Sequence, residues 1–259
     1  MQLAAAQLAN HLQKGLRPLY VLHGDEALLV QEAADAIRAA ARAQGYTERS
    51  VHIVAGAHFD WGAVLAAGSS LSLFADRQMV EIRIPSGKPG KDGSAALQQL
   101  AEAAPGNEGV LTLVLLPRLD KATRSGAWFA ALDGAGVTVQ IDSVERAQLP
   151  AWIAQRLAAQ GQRVAPGEEG QRTLAFFADR VEGNLLAAHQ EISKLALRGQ
   201  ALGDPGRQLG ALDAVDLHRH PGAVKGGKPG AAARGLVQPG QQHQGEDAVV
   251  AGRGLGQLL

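Results

Sequence analysis

The 259-residue chain is predicted to be an α/β protein. A parallel sheet with helices on both faces is expected over 1–142, a small three-helix domain over 143–200, and a Gly- and Pro-rich tail over 201–259. Three observations carry this reading. Up to residue 142, apolar runs of strand length alternate with segments of helical period, the pattern of parallel strands joined by crossover helices. From 143 to 200 only helical periods occur. After 200 the composition shifts: residues 201–259 hold none of the 10 aromatic side chains but 13 of the 32 glycines and 4 of the 11 prolines.

Leu3, Leu8, Leu12 and Leu16 share one helical face and predict an opening helix. Pro18 sets off Leu19–His23, an apolar run that reads as a buried strand. Residues 27–44 are Ala-rich and helical, stopping at Gly45. Residues 50–54 predict a short strand, 61–67 a helix of a turn or two, 78–84 a strand, and 95–104 a helix closed by Pro105-Gly106. Residues 110–116 form the most apolar run, suited to a sheet centre. Residues 123–132 predict a helix and 137–141 a last strand. Pro150 then opens a helix that ends before Gly161, 167–180 predict a second, and 184–197 a third with Leu185, Ile192 and Leu195 on one stripe. The run Gly222–Gly230 has neither helical nor alternating period, and a segment so poor in large apolar groups cannot offset its ordering entropy, so no packed core is expected in the tail. A shifted reading frame and a flexible tail both account for this composition.

Composition narrows the function classes. Twenty-five basic and 25 acidic side chains give zero net charge, which argues against a general nucleic-acid coat while leaving room for a local basic patch. No cysteine is present, so disulfides, thiolate nucleophiles, iron–sulfur clusters and Cys-ligated zinc are excluded. Residues 1–14 lack the pattern of a signal peptide, and no window approaches 18 apolar residues, so a cytoplasmic protein with no membrane partner is expected.

The first strand and helix flank His23-Gly-Asp-Glu-Ala-Leu-Leu29, where a phosphate-binding loop would sit. A working loop needs a second glycine, a lysine and a hydroxyl at set offsets, so that backbone N–H groups and an ammonium hold the phosphates. Gly24 has none of these after it, and Asp25 and Glu26 put negative charge there instead, as acidic groups at a helix N-terminus do. The apolar run 110–116 also ends without an acidic pair for magnesium: Pro117 and Arg118 follow, and Asp120 beside Lys121 reads as a solvated turn. No catalytic residue, metal or cofactor is therefore expected. His218 and His220 have metal-like spacing but lack a third ligand, Ser69, Ser70 and Ser125 lack a nucleophile frame, and Glu168-Glu169 reads as solvated.

The most unusual local feature is Gly68–Gln78, where Leu71, Leu73 and Phe74 stand among small and polar residues between a helix and a strand. An arbitrary Leu-Leu-Phe packs into the core. This layout is also that of a short peptide docking in a hydrophobic groove, of the form Q-L-x-L-F that bacterial sliding clamps take, with Ser70 in place of the Gln. Each anchor would contribute roughly 1.5–3 kcal/mol before ordering costs.

In order along about 1–200, the segments Pro18–Leu29, Ser70–Gln78, Leu115–Lys121 with Trp128-Phe129, and Glu182–Leu197 resemble the delta subunit of the bacterial DNA polymerase III clamp loader. The last segment, with Gly-Asn-Leu-Leu opening a helix and Glu-Ile-x-Lys-Leu on it, is the most specific. The resemblance implies an AAA+-like (P-loop-like) first domain without a working nucleotide site, a helical lid, and a helical collar that joins the subunits in a pentamer. It implies a non-catalytic subunit of the polymerase holoenzyme that binds and opens the beta sliding clamp, with Leu71, Leu73 and Phe74 as the clamp-binding element and Leu73 and Phe74 as its anchors. The implied partners are the clamp, the other loader subunits (gamma/tau and delta prime) and, indirectly or weakly, primer–template DNA. The tail departs from the collar pattern, so clamp binding is expected to survive while incorporation into the holoenzyme is weakened or lost. Lys88, Lys91, Arg118, Lys121 and Arg124 are the candidate DNA contacts, although neutral total charge makes a solvated surface the commoner outcome. The competing functions are a nucleotide-dependent AAA+ enzyme on the same fold and a clamp-binding adaptor outside replication.

Overall fold

The computed structural model describes residues 1–56, 58–69, 77–107, 109–201 and 208–209, with backbone only for 198–201 and 208–209. All of them fall in one compact unit, Met1–Arg219. Six parallel strands form the sheet: β1 (Gln2–Ala4), β2 (Leu19–Gly24), β3 (Glu48–Ile53), β4 (Gln78–Arg83), β5 (Val110–Pro117) and β6 (Val137–Ile141), in the order β1-β6-β2-β5-β4-β3. The helices between them are α1 (Leu8–Gln13), α2 (Ala27–Ala43), α3 (Trp61–Ser69), α4 (Gly90–Ala103), α5 (Lys121–Arg124) and α6 (Ala127–Ala135).

Strand alternation divides the core into two layers. Leu19 and Val21 of β2 and Val110, Val114 and Leu116 of β5 face α3, α4 and α6, where Trp61, Leu97, Trp128, Phe129 and Leu132 pack. Tyr20 and Leu22, with Leu111 and Leu113, face α1 and α2 and meet Leu8, Ala34, Ile37 and Ala41. This is the parallel α/β sheet the sequence predicts. Helices α7 (Leu149–Ala159), α8 (Gly167–Val181) and α9 (Leu185–Ala201) follow and enclose a core of their own around Leu149, Ile153, Leu157, Phe177, Val181, Leu185 and Ile192.

Several elements differ from the sequence expectation. The opening stripe is not one helix: Gln2–Ala4 is an edge strand paired with β6, with Leu3 opposite Val139, and the helix begins at Leu8. Leu3, Leu8, Leu12 and Leu16 nevertheless reach the same core layer. Helix α4 starts five residues early, at Gly90. Gly93, a weak helix former, is needed for packing, since a Cβ there would lie 2.4 Å from the Trp61 ring. The helix expected over 123–132 is split: Asp120 caps α5, and Gly126, in extended backbone, restarts the chain as the N-cap of α6. A two-residue pair, β7 (Arg163–Val164) with β8 (Gln208–Leu209), had no sequence signal.

Candidate functional site

All strands of the sheet are parallel, so their C-terminal ends form one rim, the place where open α/β sheets bind ligands. Only Asp25 and Glu26 separate β2 from α2. Gly24 lies so close to β6 that a Cβ there would sit 2.0 Å from the Ile141 carbonyl oxygen. The Asp25 carboxylate accepts from Arg118 Nη1 at 3.0 Å. That contact raises the Arg118 guanidinium above its ordinary value, with Asp142 adding to it. Burial pushes the Glu26 carboxyl up, and the neighbouring Asp25 charge pushes it further. The first turn of α2 is Ala27, Leu28, Leu29, which offers no cation and no hydroxyl. Carboxylates occupy the position at which phosphates would have to lie.

At the end of β5, Asp120 and Lys121 are exposed, as expected of a solvated turn, and Asp120 also caps a short helix. Asp120 Oδ1 accepts the Thr123 backbone N–H at 2.7 Å, capping α5. This bond, reinforced by the Lys88 and Arg124 charges, holds its carboxyl below the usual range. Leu119 is buried, and Gly87 of the β4 loop packs on Leu119 and Pro117. The loops after β4 and β5 therefore touch. The structure gathers the five candidate DNA contacts here. Lys88 lies in the β4 loop and Lys91 in the first turn of α4, while Arg118 follows β5 and Lys121 and Arg124 lie on α5, all exposed. Arg124 Nη1 also approaches Gln140 Oε1 at 3.5 Å. Asp25, Glu26, Asp92, Asp120 and Asp142 share the rim, so its charge is mixed rather than basic. Behind it, His23 is buried edge-on against Phe129, and burial, then Arg124, holds its imidazole below its ordinary value and so neutral.

Leu71, Leu73 and Phe74 lie outside the described residues, as do Ser70, His218 and His220 and the tail over 202–207 and 210–259. The two ends of the 70–76 segment are described. The Gly68 carbonyl accepts from Asn107 Nδ2 at 2.8 Å, and the Ala67 carbonyl from Gln78 Nε2 at 2.8 Å. The Gln78 bond ties the end of α3 to the start of β4 and the Asn107 bond ties it to the loop before β5, at the rim opposite the acidic one. Ser69 Oγ and Ser125 Oγ donate to carbonyls of their own helices at 2.8 Å each, and Glu168 pairs with Arg172 at 2.8 Å. Among the described residues no group of three His, Cys, Asp or Glu could hold a metal ion, and no helix is long and apolar enough to cross a membrane.

Sequence reasoning missed one cluster. Glu81 of β4 is fully buried, and its oxygens accept from Arg38 Nε and Nη2 at 2.9 Å each, from Arg83 at 2.7 Å and from Arg49 at 3.1 Å. The signal was present: Glu81 is the one acidic residue inside an apolar strand, and Arg38 sits in an Ala-rich helix.

Fold and rim together define a parallel-sheet α/β protein whose phosphate-loop position is filled by acidic side chains. Comparison with known proteins shows what the chain is similar to. Residues 20–142 match the family model "DNA polymerase III, delta subunit", so over that region the chain is similar to this family. The chain is 34% identical over 199 residues to the DNA polymerase III subunit delta of Escherichia coli (strain K12), covering 76% of this chain and 55% of that protein. It is 28% identical over 198 residues to the Haemophilus influenzae subunit delta, covering 74% of this chain and 54% of that one. The chain thus spans about half the length of the curated relatives it matches. Among solved structures it is similar to the Bacillus subtilis DNA clamp loader delta protein YqeN, with a TM-score of 0.58 and 17% identity over 82% of this chain and 61% of that one, a likeness of fold.

Proposed function

We propose that the chain acts as a non-catalytic, cytoplasmic clamp-loader subunit that grips the beta sliding clamp through Leu71, Leu73 and Phe74 and favours its open form. The observation that carries this is the kinship to delta subunits over a region containing a clamp-peptide-like segment, Ser70–Phe74, whose flanks are pinned to the core by Asn107 and Gln78. A short element held at both ends on a rigid scaffold loses less freedom on docking than a free peptide. Opening requires that the chain bind the open clamp more tightly than the closed ring, because only differential affinity shifts a population. The carboxylates after β2 favour this reading over a nucleotide-dependent enzyme, since they would repel a triphosphate. In the same reading the loader's other subunits (gamma/tau and delta prime) bind nucleotide, assembly with them is weakened by the tail, and primer–template DNA is met at the mixed-charge Lys88–Arg124 rim only indirectly or weakly. Leu73→Ala with Phe74→Ala is expected to remove most of the clamp affinity, measured by surface plasmon resonance on immobilised beta clamp. Unchanged binding by the double variant refutes the assignment. Tight magnesium-dependent ATP binding by calorimetry would instead favour the enzyme reading.

A further inference from the structure

We propose that the free edge of the sheet at β3 is a docking site for an extended acidic–apolar segment of a partner protein, which adds to the sheet as a further strand. The proposal is independent of the clamp reading. Strand β3 ends the sheet order, and its register with β4 runs from Glu48 opposite Gln78 to Ile53 opposite Arg83. The Val54 N–H donates to the Arg83 carbonyl at 2.9 Å, so by strand alternation Ser50 and His52 point their main-chain groups at β4. Arg49, Val51 and Ile53 therefore point theirs outward, where no described strand pairs with them.

The side chains beside this edge guard it only in part: Glu48 and Arg49 are exposed charges at its start, and Val51 and Ile53 leave the rest apolar. Natural edges are commonly blunted by charge, proline or a covering element. Here Val51 and Ile53 are 42% and 52% exposed, on the face that also carries Glu81 and Arg83. Arg49 and Arg83 bracket that apolar pair, with side chains 41% and 35% exposed. Their shared carboxylate, Glu81, is already engaged by Arg38, which also pairs with Asp35 at 2.5 Å. Three guanidiniums thus face two carboxylates, and the cluster keeps one positive charge beside the open edge. Glu48 lies on the opposite face of the strand.

Charge complementarity selects the occupant. A second copy pairing β3 against β3 would set two positive clusters face to face. A basic segment would meet the same repulsion. A strand alternating apolar and acidic residues places carboxylates against Arg49 and Arg83, apolar groups on Val51 and Ile53, and its main chain on the free N–H and C=O groups.

The test uses the full chain and two synthetic peptides, one alternating valine with aspartate and one alternating valine with lysine. The aspartate peptide is expected to slow amide hydrogen exchange at Arg49, Val51 and Ile53 at least tenfold, and the lysine peptide to leave it unchanged. Val51→Pro removes an outward donor without touching the β4 ladder, and Arg49→Glu reverses one bracket; each is expected to weaken the aspartate peptide at least tenfold. Unchanged exchange at millimolar aspartate peptide overturns the proposal. So do equal binding of both peptides, protection of these amides in the chain alone, and a dimer in sedimentation that buries this edge.

Discussion

Glu81 shows how one residue decides a stability profile. Burial works to raise its carboxyl, but hydrogen bonds from Arg38 and Arg83 and the charges of Arg38 and Arg49 win and hold it below the usual range. A depressed native value means the ionised form is bound more tightly in the folded state. Its contribution is fully present above the ordinary carboxylate value of about 4.3 and is lost as pH falls from there through the native value. Glu81→Gln keeps the shape and removes the buried counter-charge of Arg38, leaving its guanidinium only the exposed Asp35. It should cost about 3 kcal/mol at pH 7 by chemical denaturation. The gap between parent and variant should close as the pH drops below 4. A gap that stays constant with pH would mean that packing, not charge, holds this cluster. His23 acts with the same sign over a different range: its depressed imidazole binds a proton more readily unfolded, so the native state weakens as pH falls below about 6.5.

At the scale of elements, the turn from β2 into α2 is set by contact rather than by backbone freedom. Gly24→Ala drives a methyl group into the Ile141 carbonyl and should destabilise by about 1–3 kcal/mol, read as a lowered denaturation midpoint. An unchanged midpoint would mean that the two strand ends separate easily. Such contacts mark where the sequence was legible and where it was not. Strands β2 and β5 could be read because each is buried on both faces and appears as a largely continuous apolar run. The stripe of leucines at the start was legible as a core face, yet three residues of edge strand are too few to show a period. Gly90 and Gly93 hid the first turn of α4: Gly90 adopts a positive φ of 77°, and at Gly93 propensity yields to the fit against Trp61. The basic residues of the rim could be named from the chain. Their shared position, and the carboxylates among them, came only from parallel strands that bring distant loops together. The cap made by Asp120 on Thr123 was written in the sequence as an acidic residue three before a threonine, but reads equally as a solvated turn.

Across the whole molecule, the helical part is joined to the sheet part by a few specific contacts. Arg156 of α7 pairs through both terminal nitrogens with the Glu32 carboxylate of α2, and the guanidinium lies 4.7 Å from the Trp152 ring centroid. Leu29 of α2 packs in both the sheet core and the helical core. The ion pair is half-buried and held on both sides, which favours a real coupling over the near-zero value of a free surface pair. A double-mutant cycle of Glu32→Ala and Arg156→Ala should give a coupling of about 1 kcal/mol in denaturation experiments. Additive losses would show that the apolar contacts alone join the two parts.

Because every strand of the sheet runs the same way, the molecule has two unlike ends. The pinned flanks of the 70–76 segment stand where β4 begins, and the mixed-charge loops stand where β4 and β5 finish. Six residues of strand set these about 20 Å apart. Anything that docks at the first end would meet a different rim from anything that docks at the second, with the full length of β4 between the two contacts.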